Sequence, residues 1–494
     1  MSEPKGRDVA WTEERGTSDE GRRHLKAPRR RANKVAVVGG GLAGITASIA
    51  LAETGADVTL LEARPRLGGA TCSFSRDGLT VDTGQHIFLG CCSAYRGLLD
   101  KLGMAGHAPM QDRFDVTVLA PGGRKARLRR TALPGPLHML PALGRYPFLS
   151  WTERLSVSRP ALAMRFVDPG KPAVDQQRFG DWLAARGQAE RARRALWDLF
   201  SVSALNIAGD DASLALAAVV VKTGLLGKNN AADIGVPALP LGELHGDAGA
   251  TLLGKLGAKV SLGAKVTAIE PVDGGGFTVK LADDELAVDA VVLAVPHEKA
   301  APLMPPGALP GQTVAAWSGL GASPIVNVHV IYDRPVMDLP FVAAIDSPVQ
   351  WVFDRTRISG ISASKHGRPG HQYLAISLSA ADEYADTPVA QLQEQFVPAL
   401  AELFPAAREA TVAEFFVTRE RRATFRQVPG SGALRPKAAT RLPGLVLAGA
   451  WTDTGWPDTM EGAVRSGLSA AVELRRSVLT TASKTGASTI GERQ

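Results

Sequence analysis

Val35-Ala-Val-Val-Gly39-Gly40-Gly41-Leu42-Ala43-Gly44 opens the patterned part of this chain, and Asp57-Val-Thr-Leu-Leu-Glu62 follows it across one helical run. Val35 to Val38 is a short run of small and β-branched residues, as a buried strand requires. Gly39, Gly41 and Gly44 fit G-x-G-x-x-G. In that motif the first glycine permits a tight turn, the second lets a pyrophosphate approach the backbone, and the third lets the helix pack close to the strand. A helix from about Leu42 to Thr54 aims its free N–H groups at the phosphates. Gly55 stops it, and a second strand ends at Glu62, an acid placed to accept hydrogen bonds from a ribose diol. Strand, glycines, helix, strand and acid occur in the order that a dinucleotide site needs.

A chain of 494 residues is too long for one core, so two domains are expected. With 45% hydrophobic and 21% charged residues the composition is that of an ordinary globular protein. Cys72, Cys91 and Cys92 have no metal-ligand spacing and cannot form a disulfide framework; they read as inert thiols in a reducing cytosol, and no metal site is expected. The net charge of +7 is uneven: residues 1–34 carry +4 and residues 124–165 carry +8, which leaves the rest acidic. Basic character confined to a tail and one segment, without a recognition motif, argues against a nucleic-acid partner.

Residues 1–32 are charged and poor in large apolar side chains, as a disordered tail is. Arg22-Arg23 lacks the apolar stretch of an export signal. Asp77-Gly78 between two strand-like runs predicts a hairpin. The stretch 124–165 interleaves arginines with apolar residues and prolines, as in Tyr146-Pro-Phe-Leu-Ser-Trp151. No apolar run is long enough to span a bilayer. The segment fits either an anionic membrane surface or a cap-domain helical hairpin with solvated arginines. Amphipathic spacing predicts helices over 178–200, 241–256 and 389–403, and alternation predicts a strand over 325–331. Ala290 to Val295 is a buried strand, and the last unit, Gly444 to Gly467, reads as strand, glycine- and tryptophan-rich loop, and helix from about Met460.

The acid Glu62 is followed by Ala63-Arg64-Pro65-Arg66-Leu67-Gly68-Gly69. This resembles the E-x-R-x-x-x-G-G extension of the large flavoprotein family that includes amine oxidases and carotenoid desaturases. The resemblance implies FAD and an α/β fold: a Rossmann-like FAD-binding domain with an interleaved α+β substrate (cap) domain. Arg64 and Arg66 can neutralise a pyrophosphate, and Gly68-Gly69 can carry backbone past a flavin unobstructed. The division expected is a tail over 1–32, FAD-binding segments over 33–120, 236–300 and 411–478, substrate-domain segments over 121–235 and 301–410, and a disordered tail over 479–494.

Three more stretches resemble the hydroxysqualene dehydroxylases, also called squalene-associated FAD-dependent desaturases, of bacterial hopanoid synthesis. They are Asp82-Thr-Gly-Gln-His86, Leu196-Trp197 through Ala204-Leu-Asn206, and Trp451-Thr-Asp-Thr-Gly-Trp-Pro-Asp-Thr-Met-Glu-Gly-Ala-Val-Arg-Ser-Gly467, with Arg419-Glu420 and Leu434-Arg-Pro436 in support. The cofactor contacts implied are Gly39, Gly41, Gly44, Glu62, Arg64, Gly68, Gly69, Val266, Gly449, Trp456 and Met460. One position departs. The family usually carries an acid after the Ala-Gly that ends the last strand, where it bonds the flavin's ribityl chain; here that place is Ala450, and Asp453 is the expected substitute.

The implied reaction replaces an allylic C–OH of hydroxysqualene by C–H. It needs a hydride from reduced flavin, a general acid for the departing hydroxyl, and an apolar channel that keeps water from the cation. His86 and Asp458 are the acid candidates, Glu461 the next. Loop support competes with proton transfer at His86, and helix capping or loop support at Asp458 and Glu461. Trp451 and Trp456 either wall the site or simply pack. With a single dinucleotide fingerprint, the reductant is expected to be external, or else a nicotinamide binds without a visible motif. The partners expected are an apolar isoprenoid, that electron donor and a membrane surface; the location expected is the cytoplasm, peripheral on the inner face of its membrane. A related desaturase or amine oxidase, and a non-catalytic flavin-fold scaffold that purifies colourless, are the alternatives.

Overall fold

The structure is a computed structural model that describes residues 33–309 and 314–488. Its Lys34–Val38 strand is the middle member of a five-stranded parallel sheet, in the order Leu445–Leu447, Ala290–Leu293, Lys34–Val38, Asp57–Glu62 and Lys259–Leu262. Four of these strands are buried along almost their whole length, as a parallel sheet covered on both faces demands. The helix Leu42–Ala52 lies between this sheet and the final helix, and is buried nearly all round. Three antiparallel strands, Ala268–Pro271, Phe277–Lys280 and Glu285–Val288, form a small sheet of their own.

A mixed sheet of seven strands makes the second layer system. Its order is Val412–Thr424, Ser323–Tyr332, Gln372–Leu378, Trp351–Asp354, Phe341–Ala344, Asp115–Ala120 and Arg124–Arg129. Alternation along Ser323–Tyr332 divides its work. Val326, Val328 and Val330 pack under the helix Val389–Leu403 with Leu392, Phe396 and Leu400. Ile325, Asn327 and His329 point to the other face, toward the parallel-sheet unit. The hairpin at Asp77-Gly78 forms as expected, with both residues at positive φ between Ser73–Arg76 and Leu79–Asp82.

Three expectations need correction. Asp115–Ala120 and Val412–Thr424 fall inside the segments assigned to the dinucleotide domain, yet both pair in the seven-stranded sheet. Periodicity identifies a strand but not the sheet it joins. The helix expected over 178–200 is two: Phe179–Ala184 ends at a turn in which Gly187 has φ +76°, and a new helix begins at Glu190. The last helix runs Met460–Ser488, past the expected limit of 478, because a helix already nucleated extends at little cost. Residues 1–32 and 489–494, read as tails, lie outside the described residues.

Candidate functional site

At the carboxyl end of the parallel sheet the glycine loop is built by close approach. A β-carbon on Gly44 would lie 1.8 Å from the Gly39 carbonyl oxygen, so only glycine lets the helix start there. Gly69 is held as tightly: its β-carbon would lie 2.9 Å from the Gly41 Cα, and the Gly68 N–H donates to the Gly40 carbonyl at 2.8 Å. The extension after Glu62 therefore seals the glycine loop by backbone contact. Glu62 fastens both parts. One carboxylate oxygen accepts from the Gly40 N–H at 2.6 Å and the other from the Arg64 N–H at 2.8 Å. A carboxylate has further lone pairs to offer a ribose.

The helix Leu42–Ala52 has Gly41 as its N-cap, no side-chain cap and no acid in its first turn, so its first N–H groups await an anion. Arg66 strengthens the case. Its Nε is buried and bonded to nothing among the described residues. A buried guanidinium nitrogen without a partner is costly unless a ligand completes it. Arg64, by contrast, has an exposed side chain. The cradle fits a pyrophosphate, with Arg66 rather than Arg64 as the inward cation. Val266 is buried beside Ala264, whose N–H donates to the Glu62 carbonyl at 2.8 Å.

From this cradle a cavity of about 280 Å³ extends to the seven-stranded sheet. Leu42 and Gly68 begin it, His86, Ala450, Asp458 and Met460 form its middle, and Ile325, Trp351, Phe353 and Glu420 close the far end. The loop of His86 is pinned to both layer systems. Asp82 accepts from Ser73 Oγ at 2.6 Å and from the Leu241 N–H at 3.0 Å, and forms a buried ion pair with Arg355. Asn327 Nδ2 donates to the Thr83 carbonyl at 3.3 Å.

The two leading acid candidates both reach the cavity, with opposite electrostatics. His86 has Nδ1 3.2 Å from the Gly84 carbonyl oxygen. Burial lowers its pKa against the raising effects of that carbonyl and of Asp82, and Arg355 lowers it further. A neutral imidazole that donates through Nδ1 presents Nε2 as an acceptor. Asp458 is pushed the other way, up to about 6, by burial; the Phe425 N–H, which donates to its Oδ2 at 2.9 Å, and Arg435 pull against that rise. A carboxyl so placed keeps its proton into the range where an acid catalyst works.

Glu461 is committed elsewhere. It accepts from the Ala94 and Tyr95 N–H groups at 3.1 and 2.8 Å and from Arg465 Nε at 2.7 Å, so it caps the helix Ser93–Lys101 from a distant part of the chain. The tryptophans of the last loop also turn from the cavity. Trp451 packs edge-on to Trp317 at 4.7 Å and donates to the Val295 carbonyl at 3.0 Å. Trp456 lies under the Arg465 guanidinium at 4.7 Å. Gly449 donates its N–H to Ser466 Oγ at 2.8 Å. The whole loop is gathered by buried Arg435, which donates to the carbonyls of Ala450, Thr452 and Trp456 at 3.0, 2.6 and 2.8 Å. Asp453 is exposed and lies off the cavity, so it does not replace the acid absent at Ala450; the carboxyls that share the cavity with Ala450 are Asp458 and Glu420.

Sequence reasoning missed Glu420, Trp351 and Phe353 as site residues. Glu420 enters the cavity and makes no hydrogen bond or ion pair to any described residue. It lies in a stretch whose resemblance was noted, but nothing in the pattern told which face of a 13-residue strand it takes. Asn206 ends one of the matching stretches, which gives it no role by itself. It bonds Ser323 and Thr424 through Nδ2 and the Ala380 N–H through Oδ1, tying the cap helix to the sheet at the cavity edge.

A family model described as flavin containing amine oxidoreductase matches residues 42–475. A hydroxysqualene dehydroxylase of Rhodopseudomonas palustris is 30% identical over 451 residues, 88% of this chain and 97% of that enzyme. A 15-cis-phytoene desaturase of Glycine max is 25% identical, over 88% of this chain and 78% of its own length. Among solved structures, a putrescine oxidase variant superposes with a TM-score of 0.68 at 20% identity, covering 90% of this chain and 99% of its own.

Proposed function

The chain belongs to the flavin-containing amine oxidoreductases and is an FAD-dependent oxidoreductase, and from that premise we propose that it removes the allylic hydroxyl of hydroxysqualene to leave squalene. One observation carries the reading. The cavity that starts at the cofactor cradle ends at Ile325, Trp351 and Phe353 with Glu420 among them, and it holds a carboxyl, Asp458, that burial keeps protonated up to about pH 6.

The FAD would be held by the glycine loop, Glu62, Arg66 and the N–H groups that begin the Leu42–Ala52 helix. Asp458 gives its proton to the departing hydroxyl, the C–O bond breaks, and water leaves. The allyl cation that remains is one hydride short of product. Bound and reduced, FAD supplies that hydride. The ring faces of Trp351 and Phe353 favour the cation while it lasts, Glu420 is the acidic side chain placed to balance it, and Ile325 helps to exclude water. Asp458 recovers its proton from solvent. His86, neutral and fixed through Gly84, positions substrate rather than protonating it. The electrons come from an external donor, since the chain has one dinucleotide fingerprint.

The same His86 favours a second reading. An unprotonated Nε2 in the cavity is a base, and a desaturase that removes a proton and a hydride from an isoprenoid needs one. An anaerobic single turnover separates the two. Chemically reduced enzyme is mixed with hydroxysqualene while flavin absorbance and squalene are followed. Reoxidation with one squalene per flavin supports the dehydroxylase. A flavin that stays reduced with hydroxysqualene, while oxidised enzyme is bleached by a saturated isoprenoid, replaces it with the desaturase.

A further inference from the structure

Seven of the ten exposed large apolar side chains among the described residues lie between Leu133 and Phe166. Three of them fall on one continuous helical stretch, and a fourth, Phe166, on the turn that ends it. Trp151–Ser156 passes through Val157, itself helical, into Ser158–Met164. Trp151, Leu155, Leu162 and Phe166 are 66, 58, 60 and 84% exposed. At 100° per residue Trp151, Leu155 and Leu162 span an arc of about 40°. The opposite side is anchored: Val157, Pro160 and Met164 are buried, and next to the helix Tyr146 Oη donates to the Ala195 carbonyl at 2.7 Å. This is an amphipathic helix whose apolar stripe points outward.

The unpaired charge along the stripe is mainly positive, with Asp168 the exposed acid that follows Phe166. Arg145, Arg159 and Arg165 are exposed and form no ion pair with any described residue. The arginines that are paired belong to the neighbouring edge strand and its end, where Asp115 and Asp233 hold Arg127, Arg129 and Arg130. The only acid of residues 124–165, Glu153, is used in a capping box with Ser150. Tryptophan and phenylalanine amid unpaired arginines match the boundary between lipid headgroups and acyl chains, where an aromatic ring meets apolar matter and the cation meets phosphate. A face-to-face interface with a second copy of this chain would set these three guanidinium groups against the same arginines.

We propose that this face docks on an anionic lipid bilayer, with Trp151, Leu155, Leu162 and Phe166 entering the headgroup region and Arg145, Arg159 and Arg165 contacting lipid phosphates. The inference rests on this surface and not on the identity of the substrate. Flotation of the FAD-loaded full chain with vesicles of phosphatidylcholine, alone or mixed with phosphatidylglycerol, tests it. Binding is expected to the anionic vesicles, weakening as salt rises. Trp151→Ala with Phe166→Ala should weaken it by about tenfold or more, and the triple Arg145→Gln, Arg159→Gln, Arg165→Gln should lose the preference for anionic lipid, both with an unchanged flavin spectrum. No binding by the wild type overturns the proposal. So does equal binding by the double variant. A wild type that is dimeric without lipid, monomeric once Trp151 and Phe166 are replaced, and indifferent to vesicles makes the stripe a self-association surface instead.

Discussion

At one end of the cavity Gly44 has no room for a β-carbon, which would sit 1.8 Å from the Gly39 carbonyl oxygen. At the other end Phe353, Ile325 and Glu420 come from three strands whose side chains make the wall. The cofactor end is shaped by backbone and by residues within about one βαβ unit. The substrate end is shaped by side chains brought from far apart. A backbone-built cradle has little freedom to change, whereas a wall of side chains can be altered residue by residue without losing the fold. Substitutions at the two ends should therefore separate catalysis from cofactor retention.

The largest effect is expected at the substrate end. Asp458→Asn removes the proton donor and keeps the shape, so turnover should fall by about 10²–10⁴-fold while the flavin spectrum stays. Loss of flavin in this variant would place Asp458 in the cradle and erase the contrast. Its pH dependence is the next test. The folded carboxyl has its pKa raised to about 6, so turnover in the wild type should fall about tenfold per unit above that pH, and Asp458→Asn should show no such limb. Stability follows the same sign. Protonated Asp458 contributes stability that is complete below the ordinary carboxylate pKa of about 4 and is lost as pH rises from there to about 6. Thermal melts across that window should decline in the wild type and flatten in Asp458→Asn.

At the cradle the smallest possible side chain should do damage. Gly44→Ala forces the helix from the strand, with a cost of about 1–3 kcal/mol or more. Flavin should be lost from the purified protein and the melting temperature lowered. An Ala variant that retains its flavin would mean that the loop yields, and that the cradle is less rigid than its contacts imply.

The two ends also differ in how far the sequence discloses them. Gly39, Gly41, Gly44 and Glu62 lie in one short stretch, and each acts on its neighbours, so spacing alone carries their geometry. Asp115–Ala120 pairs in parallel with Phe341–Ala344, more than two hundred residues on, and no local pattern says so. Trp456, Asp458 and Glu461 stand within six residues of one another, yet Asp458 faces the cavity, Trp456 packs on Arg465 and Glu461 caps a remote helix. Motif membership located the loop; the direction of each side chain came from what packs against it. Glu420 was passed over for the same reason, since its face is set by the sheet and not by its neighbours in the chain.

The finest contrast lies inside the cradle itself, between two arginines separated by one proline. Both Arg64 and Arg66 suit a pyrophosphate by type and spacing. In the fold Arg64 contributes its backbone N–H to Glu62 and leaves its side chain in solvent, while Arg66 buries an Nε that has no partner among the described residues. A charge-assisted bond from a buried donor contributes about 1.5–3 kcal/mol, so Arg66→Ala should weaken FAD binding by roughly ten- to a hundredfold. Arg64→Ala, a surface change, should shift it by no more than about 0.5 kcal/mol. Titration of both apoproteins with FAD, followed by flavin fluorescence, gives the comparison directly. Equal losses would mean that the Arg64 side chain also reaches the cofactor, and that the two arginines share the pyrophosphate.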